Sequence, residues 1–294
     1  MQDNNIAVLG VLHPGVTDYI QEYLKSLERQ TYQKFDLILF DDGFNEIQLI
    51  ESNSLNIIIK KTQGSPSDIR LSLINYVLEK EYEFIIFTDC DDFFSSNRIE
   101  ISVSTLSKQE IAVNDLDLVS ERGEIRQKNY LSKRLQNGQC IKINDLLHSN
   151  MMGLTNTAVR KEVLIECLPV LHSEVIAFDW LLWSSALDAN DNEAMFTSET
   201  STQYRIYQDN IAGFPELIDE KILRDGIEIK LSHYKNLANL GSVYENLYNS
   251  FALAKKMSQN STWLGEYIVA LNENRMKTPL WWENIKTPEE VGIL

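Results

Sequence analysis

One short segment constrains this chain most strongly, because an apolar strand ends there in a cluster of acidic side chains. The run from Phe84 to Phe87 is continuously apolar, and Asp89, Asp91 and Asp92 follow within the next five residues. Carboxylates this close together repel one another and lose solvation if they are buried, so a cation or several donors must compensate them. The segment therefore predicts a buried strand that presents acidic ligands to a divalent metal ion.

A second acidic strand end comes earlier in the chain. Residues 35–40 form another apolar run, which ends in Asp41, Asp42 and Gly43. Before it, an apolar run leads through a His-Pro-Gly breaker into apolar residues at helical spacing. Strands that alternate with helices indicate a doubly wound, mostly parallel α/β sheet, in which the strand carboxyl ends meet at one crevice. We predict strands at 6–11, 35–40, 57–59 and 84–88, and helices at 20–27, 68–80 and 97–107.

The rest of the chain changes pattern twice. Residues 116–143 are typical of short strands joined by polar turns, and residues 155–187 are rich in helical patterns. After Gly213, from residue 216 to 276, apolar residues recur at three and four positions among many polar ones, as in a helical hairpin or a small bundle. We therefore place a domain boundary near residue 214.

The net charge limits the partners that this chain binds over a broad surface. Its 27 Lys and Arg residues stand against 43 Asp and Glu residues, which gives a formal net charge of −16. This charge repels nucleic acids, so we expect no nucleic-acid partner. The three cysteines lack metal-binding spacing, and no apolar stretch approaches the roughly 18 residues that span a bilayer. We expect a protein without a transmembrane segment that is cytoplasmic or peripheral at the inner face of the membrane.

Four motifs occur in an order and at a spacing that resemble one known family. Residues 24–32 are similar to its "SLxxQTY" helix end, residues 41–43 to its "DDGS" strand end, residues 89–92 to its "DxDD" and residues 204–210 to its "YRxHxxN" segment. The chain from about Ile6 to Gly213 thus resembles an inverting family 2 glycosyltransferase with the GT-A fold. Each motif alone is weak, and the specificity comes from their order.

The resemblance implies a fold, a reaction and partners. Residues 1–214 would form the GT-A catalytic domain, with a nucleotide-binding half at 1–110 and an acceptor-side half at 111–214, and residues 215–294 would form a helical C-terminal region. The reaction would move a hexose from a nucleotide-diphosphate donor, best matched by a UDP-sugar, to an acceptor hydroxyl in cell-surface polysaccharide or glycan assembly. It would use Mn²⁺ or Mg²⁺, and its acceptor would be a glycan, a lipid-linked sugar or a protein. The C-terminal helices would select the acceptor or form a homodimer.

The resemblance also assigns a role to each candidate site residue. Asp179 would be the general base that deprotonates the acceptor, and Asp91 would hold the metal ion. The donor-sugar and acceptor side would comprise Asp92, Trp180 and Arg205, with Asp92 alternatively bracing the strand end. The nucleotide would be bound by Val11 and its neighbour Leu12, His13, Asp42, Arg70 and Asp89, with Asp42 at the base and Asp89 at the ribose.

Two positions depart from the family pattern, and alternative functions remain open. His13 and Pro14 stand where many relatives have Tyr-Asn, and Tyr207 stands where they have His. A neutral phenol is a poorer Mn²⁺ ligand than imidazole, so a second protein ligand to the metal is in question. A non-catalytic sugar-nucleotide-binding or partner-binding scaffold fits these departures. A DxD phosphatase fits less well, because its motif would follow the first strand rather than the fourth.

Overall fold

The computed structural model describes residues 5–172, 174–207 and 217–293. Within these residues, ten strands form one sheet, in the order β3-β2-β1-β4-β9-β6-β10-β5, with β7 paired to β6 and β8 paired to β10. The strands are β1 Ile6–Leu12, β2 Asp36–Asp41, β3 Asn56–Lys61, β4 Phe84–Phe87, β5 Phe93–Phe94, β6 Ile111–Val119, β7 Ile125–Gln127, β8 Cys140–Ile141, β9 Thr157–Arg160 and β10 Ala194–Arg205.

Helices cover both faces of this sheet and extend beyond one of them. The α-helices in the described residues are α1 Ile20–Glu28, α2 Pro66–Leu78, α3 Arg98–Leu106, α4 Lys161–Cys167, α5 Phe178–Asp188, α6 Glu220–Leu237, α7 Ser242–Met257 and α8 Ser261–Glu273. The last three fall within the region for which a helical hairpin or bundle is predicted, so that prediction is confirmed. None of the helices in the described ranges combines the length and apolar composition needed to cross a membrane.

The sheet has a parallel half and a mixed half. Strands β3, β2, β1 and β4 pair in parallel, as expected for a doubly wound sheet. Beyond β4, strand β9 runs antiparallel to both β4 and β6, whereas β6 and β10 pair in parallel. The carboxyl ends of β1, β2 and β4 therefore lie side by side at one edge, which is where an open α/β sheet binds its ligand.

The first strand shows how one short segment serves two hydrophobic cores. Successive side chains of a strand point to opposite faces. Ile6 and Val8 accordingly pack in the core that includes residues of α1 and α3, whereas Ala7 and Leu9 pack in the core that includes α2, α4, α5 and the C-terminal helices. A continuous apolar run is therefore required here, because both faces of the strand are covered.

Three predictions for the second half of the chain need correction. The strand in the 116–143 region begins earlier, at Ile111, and is buried along its whole length. The helix-rich region 155–187 also contains β9, and no strand was predicted where the twelve-residue β10 lies. The predicted boundary at residue 214 and the last part of the 204–210 motif lie outside the described residues.

Candidate active site

The ends of β1 and β2 bring two predicted nucleotide-binding residues together. The parallel register pairs Leu12 with Asp41, so His13 and Asp42 follow directly at neighbouring strand ends. The Asp42 amide donates to the Leu12 carbonyl oxygen at 2.7 Å, which extends the pairing by one residue. Asp41 is buried and accepts from the Phe44 amide at 2.8 Å, so it shapes the turn and leaves the half-buried Asp42 at the crevice.

The end of β4 is fixed to β1 by side-chain hydrogen bonds. Thr88 donates to the Leu9 carbonyl oxygen through both its amide, at 2.9 Å, and its hydroxyl, at 2.6 Å. The Tyr23 hydroxyl lies 2.7 Å from the same Thr88 oxygen. Gly10 makes this packing possible, since a Cβ atom there would lie 2.9 Å from both the Tyr23 hydroxyl and the Cys90 sulfur. These contacts determine where Asp89, the next residue, projects.

The acidic cluster after β4 is short of compensating charge. Burial, reinforced by the neighbouring Asp91 carboxylate, raises the pKa of Asp89 to about 7, although Arg70 and Arg98 oppose the shift. The pKa of Asp92 is also raised well above its usual range by burial and by the two other carboxylates. Near neutral pH the cluster therefore favours a bound proton or a bound cation.

Arg98 is a site residue that no sequence motif indicated. Its guanidinium is almost fully buried, donates to the Phe87 carbonyl oxygen at 2.7 Å and to Asn114 at 3.1 Å, and stacks over the Phe94 ring at 4.3 Å. It favours the ionised forms of Asp89 and Asp92, and burial lowers its own pKa to about 10. An arginine in the first turn of α3 resembles an ordinary surface residue in sequence, so only the folded structure reveals this role.

Asp91, the middle residue of the acidic cluster, contacts a side chain just after β10. Its carboxylate accepts a hydrogen bond from the Tyr207 hydroxyl at 2.6 Å, and the Tyr207 ring stacks on Tyr19 at 6.2 Å. Tyr207 therefore occupies the position beside the predicted metal ligand where the resemblance places a histidine. Its phenolic pKa is raised, by burial first and then by Asp91, so the hydroxyl stays a neutral donor.

The donor set suits a metal ion that is bound jointly with a substrate. In the part of the chain that the structure describes, no three His, Cys, Asp or Glu side chains converge to chelate an ion. Asp89 and Asp91 supply carboxylate oxygens, the ligands that Mg²⁺ and Mn²⁺ prefer, and such ions commonly use one or two carboxylates together with substrate phosphates. Asp89 and Asp91 therefore fit a metal ion that is held together with substrate phosphates, and they do not fit an ion held by protein ligands alone.

Asp179 and Arg70 lie close enough to Asp89 to influence its ionisation. Asp179 is half-buried at the start of α5, and its carboxylate accepts from the Asn150 amide at 3.1 Å and from the Trp180 backbone at 2.9 Å. Burial raises its pKa, and Arg70 of α2 acts against that shift. Arg70 also interacts electrostatically with His13 and Asp89. One arginine thus faces the strand ends and Asp179 together.

His13, just after the end of β1, lies near the same charged groups. Its ring accepts from the Gly15 amide at 3.2 Å, and burial is the main cause that lowers its pKa. The nearby Asp91 and Asp42 carboxylates act in the opposite direction, which places His13 among the predicted ligands of the nucleotide and the metal. Val11, at the end of β1, is partly exposed beside it.

Three residues predicted to contact the donor sugar or the acceptor lie beneath the site instead. Trp180 is fully buried, where its indole donates to the Leu146 carbonyl oxygen at 2.8 Å and stacks on His233 at 3.8 Å. Asp92 is 1% exposed and accepts from the Arg205 amide at 2.8 Å, so it braces the strand end. Neither the Trp180 nor the Asp92 side chain reaches the surface in this structure, and Asp92 fits its alternative role at the strand end.

Arg205 is likewise a structural residue rather than a substrate contact. Its buried guanidinium donates to the Asp91 carbonyl oxygen at 2.7 Å and to the Glu121 carbonyl oxygen at 2.6 Å, and pairs with Glu22 at 2.7 Å. It also lies over the Tyr19 ring at 4.4 Å. Arg205 thus ties the β6–β7 hairpin and α1 to the backbone of the acidic cluster.

Comparison with solved structures identifies the fold. The structure of S. aureus TarS in complex with UDP is 18% identical, with a TM-score of 0.60 over 88% of this chain and 75% of TarS. A mannosyltransferase from Pyrobaculum calidifontis, PcManGT, solved with GDP-Man and Mn²⁺, is 12% identical, with a TM-score of 0.54 over 83% of this chain and 68% of that protein. The α/β sheet and the crevice at its strand ends define the GT-A fold of nucleotide-sugar-dependent glycosyltransferases.

Sequence comparison then identifies the family. The profile described as "Glycosyl transferase family 2" matches residues 16–168, slightly more than half of the chain. This chain belongs to glycosyltransferase family 2, and it is an enzyme of that class. An Escherichia coli protein, UDP-Glc:alpha-D-GlcNAc-diphosphoundecaprenol beta-1,3-glucosyltransferase WfgD, is 24% identical over 230 residues, which cover 75% of this chain and 86% of WfgD.

Proposed function

We propose that this glycosyltransferase transfers a hexose from a UDP-sugar, with inversion, to a hydroxyl group of a lipid-linked saccharide in cell-surface glycan assembly. The name of WfgD describes transfer from UDP-Glc to a diphosphoundecaprenol-linked sugar, and TarS structures contain UDP or UDP-GlcNAc. These names support the donor and the acceptor class. A lipid-linked acceptor would bring the enzyme to the inner face of the membrane as a peripheral protein.

The position of Arg70 carries this proposal. It interacts with His13 and Asp89 on the nucleotide side and with Asp179 on the other. A donor whose nucleotide lay against Asp42 and Asp89 would therefore place its sugar within the space that Asp179 also faces. That arrangement suits a single displacement, in which one carboxylate activates an acceptor hydroxyl on the face opposite the leaving diphosphate.

Each residue has a definite chemical task in this mechanism. Asp42 would accept from the uracil base, and Asp89 would accept from the ribose hydroxyls. Asp91 would hold Mg²⁺ or Mn²⁺, which would neutralise the charge of the diphosphate as it leaves. Asp179 would take the proton of the acceptor hydroxyl, and its raised pKa makes it a stronger base than an exposed aspartate. Arg70 would offset the negative charge of Asp89, Asp179 and the diphosphate.

The acceptor would approach beside the β6–β7 hairpin. A cavity of about 400 Å³ lies there, next to the segment that Arg205 ties to Asp91. It offers polar groups suited to a saccharide, and its lining residues are Val119, Ser120, Glu121, Arg122, Glu124, Arg126 and Ile206. We also propose a homodimer through the C-terminal helices, of which α6 packs against α5 through the stacked Trp180 and His233 rings.

The proposal is tested first by ligand binding and then by turnover. We expect the melting temperature to rise with UDP plus Mn²⁺, and less with GDP or CMP plus Mn²⁺. Asp179→Asn should reduce transfer by roughly 10²- to 10⁴-fold, the usual share of a general base, and should leave UDP binding unchanged. Asp188→Asn, at the exposed end of the same helix, is the matched control and should retain full activity. Wild-type turnover by Asp179→Asn would remove the base from the mechanism.

A further inference from the structure

The Asp179 carboxylate accepts one hydrogen bond from within α5 and one from a distant segment of the chain. One oxygen accepts from the Trp180 backbone at 2.9 Å, which is a local bond of the helix. The other accepts from the side-chain amide of Asn150 at 3.1 Å, twenty-nine residues away in sequence. Among the residues that the structure describes, the Asn150 amide is thus the side chain that hydrogen-bonds this carboxylate from a distant segment.

Asn150 is held so that only its NH₂ group can face Asp179. The residue is fully buried, and its side-chain oxygen accepts from the Met152 amide at 2.9 Å. A backbone N–H only donates, so the oxygen of the Asn150 amide must face Met152 and the nitrogen must face the carboxylate. The orientation of the donor is therefore determined by the protein.

The backbone of Asn150 is fixed by the C-terminal segment. Asn150 donates to the Trp281 carbonyl oxygen at 3.0 Å, and the Trp281 amide donates to the Asn150 carbonyl oxygen at 3.1 Å, as an isolated antiparallel bridge. Trp281 is 3% exposed and packs edge-on against Tyr204 at 5.6 Å. Gly153 accommodates the indole, since a Cβ atom there would lie 3.2 Å from its ring.

Further contacts dock this segment onto the catalytic domain. The Tyr130 hydroxyl donates to the Pro279 carbonyl oxygen at 2.5 Å. Arg134 forms a two-point ion pair with Glu283, at 2.5 and 2.8 Å, and this carboxylate also accepts from the Leu280 amide at 2.8 Å. Residues 279–283 are thus held from both sides, whereas the family profile ends at residue 168.

We propose that Asn150 is a positioning residue for Asp179, and that the C-terminal segment around Trp281 is part of the active site because it holds Asn150 in place. This inference rests on the proposed function, in which Asp179 is the general base. The Asn150 amide orients the carboxylate toward the acceptor and stabilises its ionised form. The C-terminal region therefore supports catalysis, in addition to any role in acceptor choice or self-association.

The electrostatic surroundings of Asp179 predict a specific change in the pH–rate profile. Burial raises the pKa of Asp179, and the Asn150 hydrogen bond lowers it. The charged groups that also face it are Arg70 of α2, which lowers its pKa, and Asp89 after β4, whose own pKa is raised in part by the Asp179 carboxylate. Removal of the Asn150 amide leaves those two unchanged, so the pKa of Asp179 should rise and the acidic limb of the pH–rate profile should move to higher pH.

The test compares Asn150→Ala, Asn150→Ser and Asn156→Ala. Asn156 is the matched control, because it is also fully buried and its side chain makes three hydrogen bonds, to Gly153 and Met151 in the same loop and to Asn114 in β6, without touching Asp179. Asn150→Ala should lower kcat about tenfold or more, leave the KM for the donor unchanged, and shift the acidic limb of kcat/KM upward. Asn150→Ser, which retains a donor, should recover part of both effects. Asn156→Ala should lose stability without moving the limb.

The outcomes separate this inference from the proposed function. If Asn150→Ala keeps the wild-type acidic limb while Asp179→Asn is inactive, the positioning role is wrong and the base assignment stands. If Asp179→Asn is active, the proposed function itself fails. Trp281→Ala provides a second route should the Asn150 variants not fold, and it should shift the limb in the same direction while UDP binding, measured by calorimetry, is retained. An unshifted limb in Trp281→Ala would refute the role of the C-terminal segment.

Discussion

Lys230 gives the most quantitative prediction, because its ammonium group is buried beneath the catalytic helix. The side chain is 1% exposed and donates to the His148 carbonyl oxygen. Its nitrogen lies 5.0 Å from the Trp180 ring centre, 5.6 Å from Phe251 and 5.9 Å from Tyr234. Burial lowers the pKa of Lys230 from 10.5 to about 7, and the more distant Glu290 and Glu283 offset this only in part.

The shift has a definite sign and size. Between pH 7 and 10.5 the unfolded chain binds this proton and the folded protein does not, so stability rises with pH across that window. The slope is about 1.4 kcal/mol per pH unit, which gives about 3 kcal/mol between pH 7 and 9.5. The three rings favour the ammonium form, so this value is an upper limit. Lys230→Met keeps the apolar stem and removes the charge, and should therefore lack the rise.

The measurement is urea unfolding followed by tryptophan fluorescence at several pH values from 7 to 9.5. Lys230→Met should be more stable than the wild type at pH 7, and the two free energies of unfolding should converge as the pH rises. Lys235→Met, at an exposed position of the same helix, is the control and should follow the wild-type curve. Parallel wild-type and Lys230→Met curves would show that Lys230 is charged in the folded protein up to high pH, and would refute the reasoning.

Two further predictions concern the strand ends. Gly10→Ala places a Cβ atom against Cys90 and should lower the free energy of unfolding by about 1–3 kcal/mol in urea. Gly265→Ala lies inside α8, where the new Cβ atom meets none of the described residues within 4 Å, and should raise the free energy of unfolding by up to about 1 kcal/mol. Equal stabilities of the two variants would contradict the packing at β1. Tyr207→Phe removes the donor to Asp91 and should weaken UDP–Mn²⁺ binding about tenfold in calorimetry, with UDP alone unaffected; an unchanged metal-dependent affinity would show that the hydroxyl does not orient Asp91.

The first half of the fold could be predicted because its signals are local. Strands β1, β2 and β4 are short apolar runs that end in turn residues, and their predicted bounds agree with the structure to within one residue. Strand β6 could not be predicted in full, since its sequence contains Asn114, Asp115 and Asp117, which are typical of turns. Asp115 is buried there because it accepts from Leu116, Leu131 and Ser132. Leu131 and Ser132 lie 16 and 17 residues away in sequence, so tertiary contacts outweigh the local preference.

In the candidate site, too, local signals could be predicted and tertiary contacts could not. Motifs indicated which strand ends carry carboxylates, and the structure brings Asp89, Asp91 and Asp179 to one crevice. Motifs could not indicate the direction of a side chain relative to that crevice, so Trp180 and Arg205 were assigned to substrate although both are buried. Asn150 was missed because a buried asparagine in a loop has no sequence pattern, and its role depends on a bridge to Trp281, far along the chain.

The charge balance of the crevice suggests how donor and metal would bind. Arg70 and Arg98 both favour ionised Asp89, yet burial and Asp91 outweigh them and hold its pKa near 7. The protein thus provides too little positive charge for its own carboxylates, and a diphosphate alone would enter against these acids and against a net charge of −16. A divalent cation shared by the diphosphate and Asp91 would relieve both repulsions at once. Binding of nucleotide and metal should therefore be strongly cooperative, each raising the affinity for the other by the same factor.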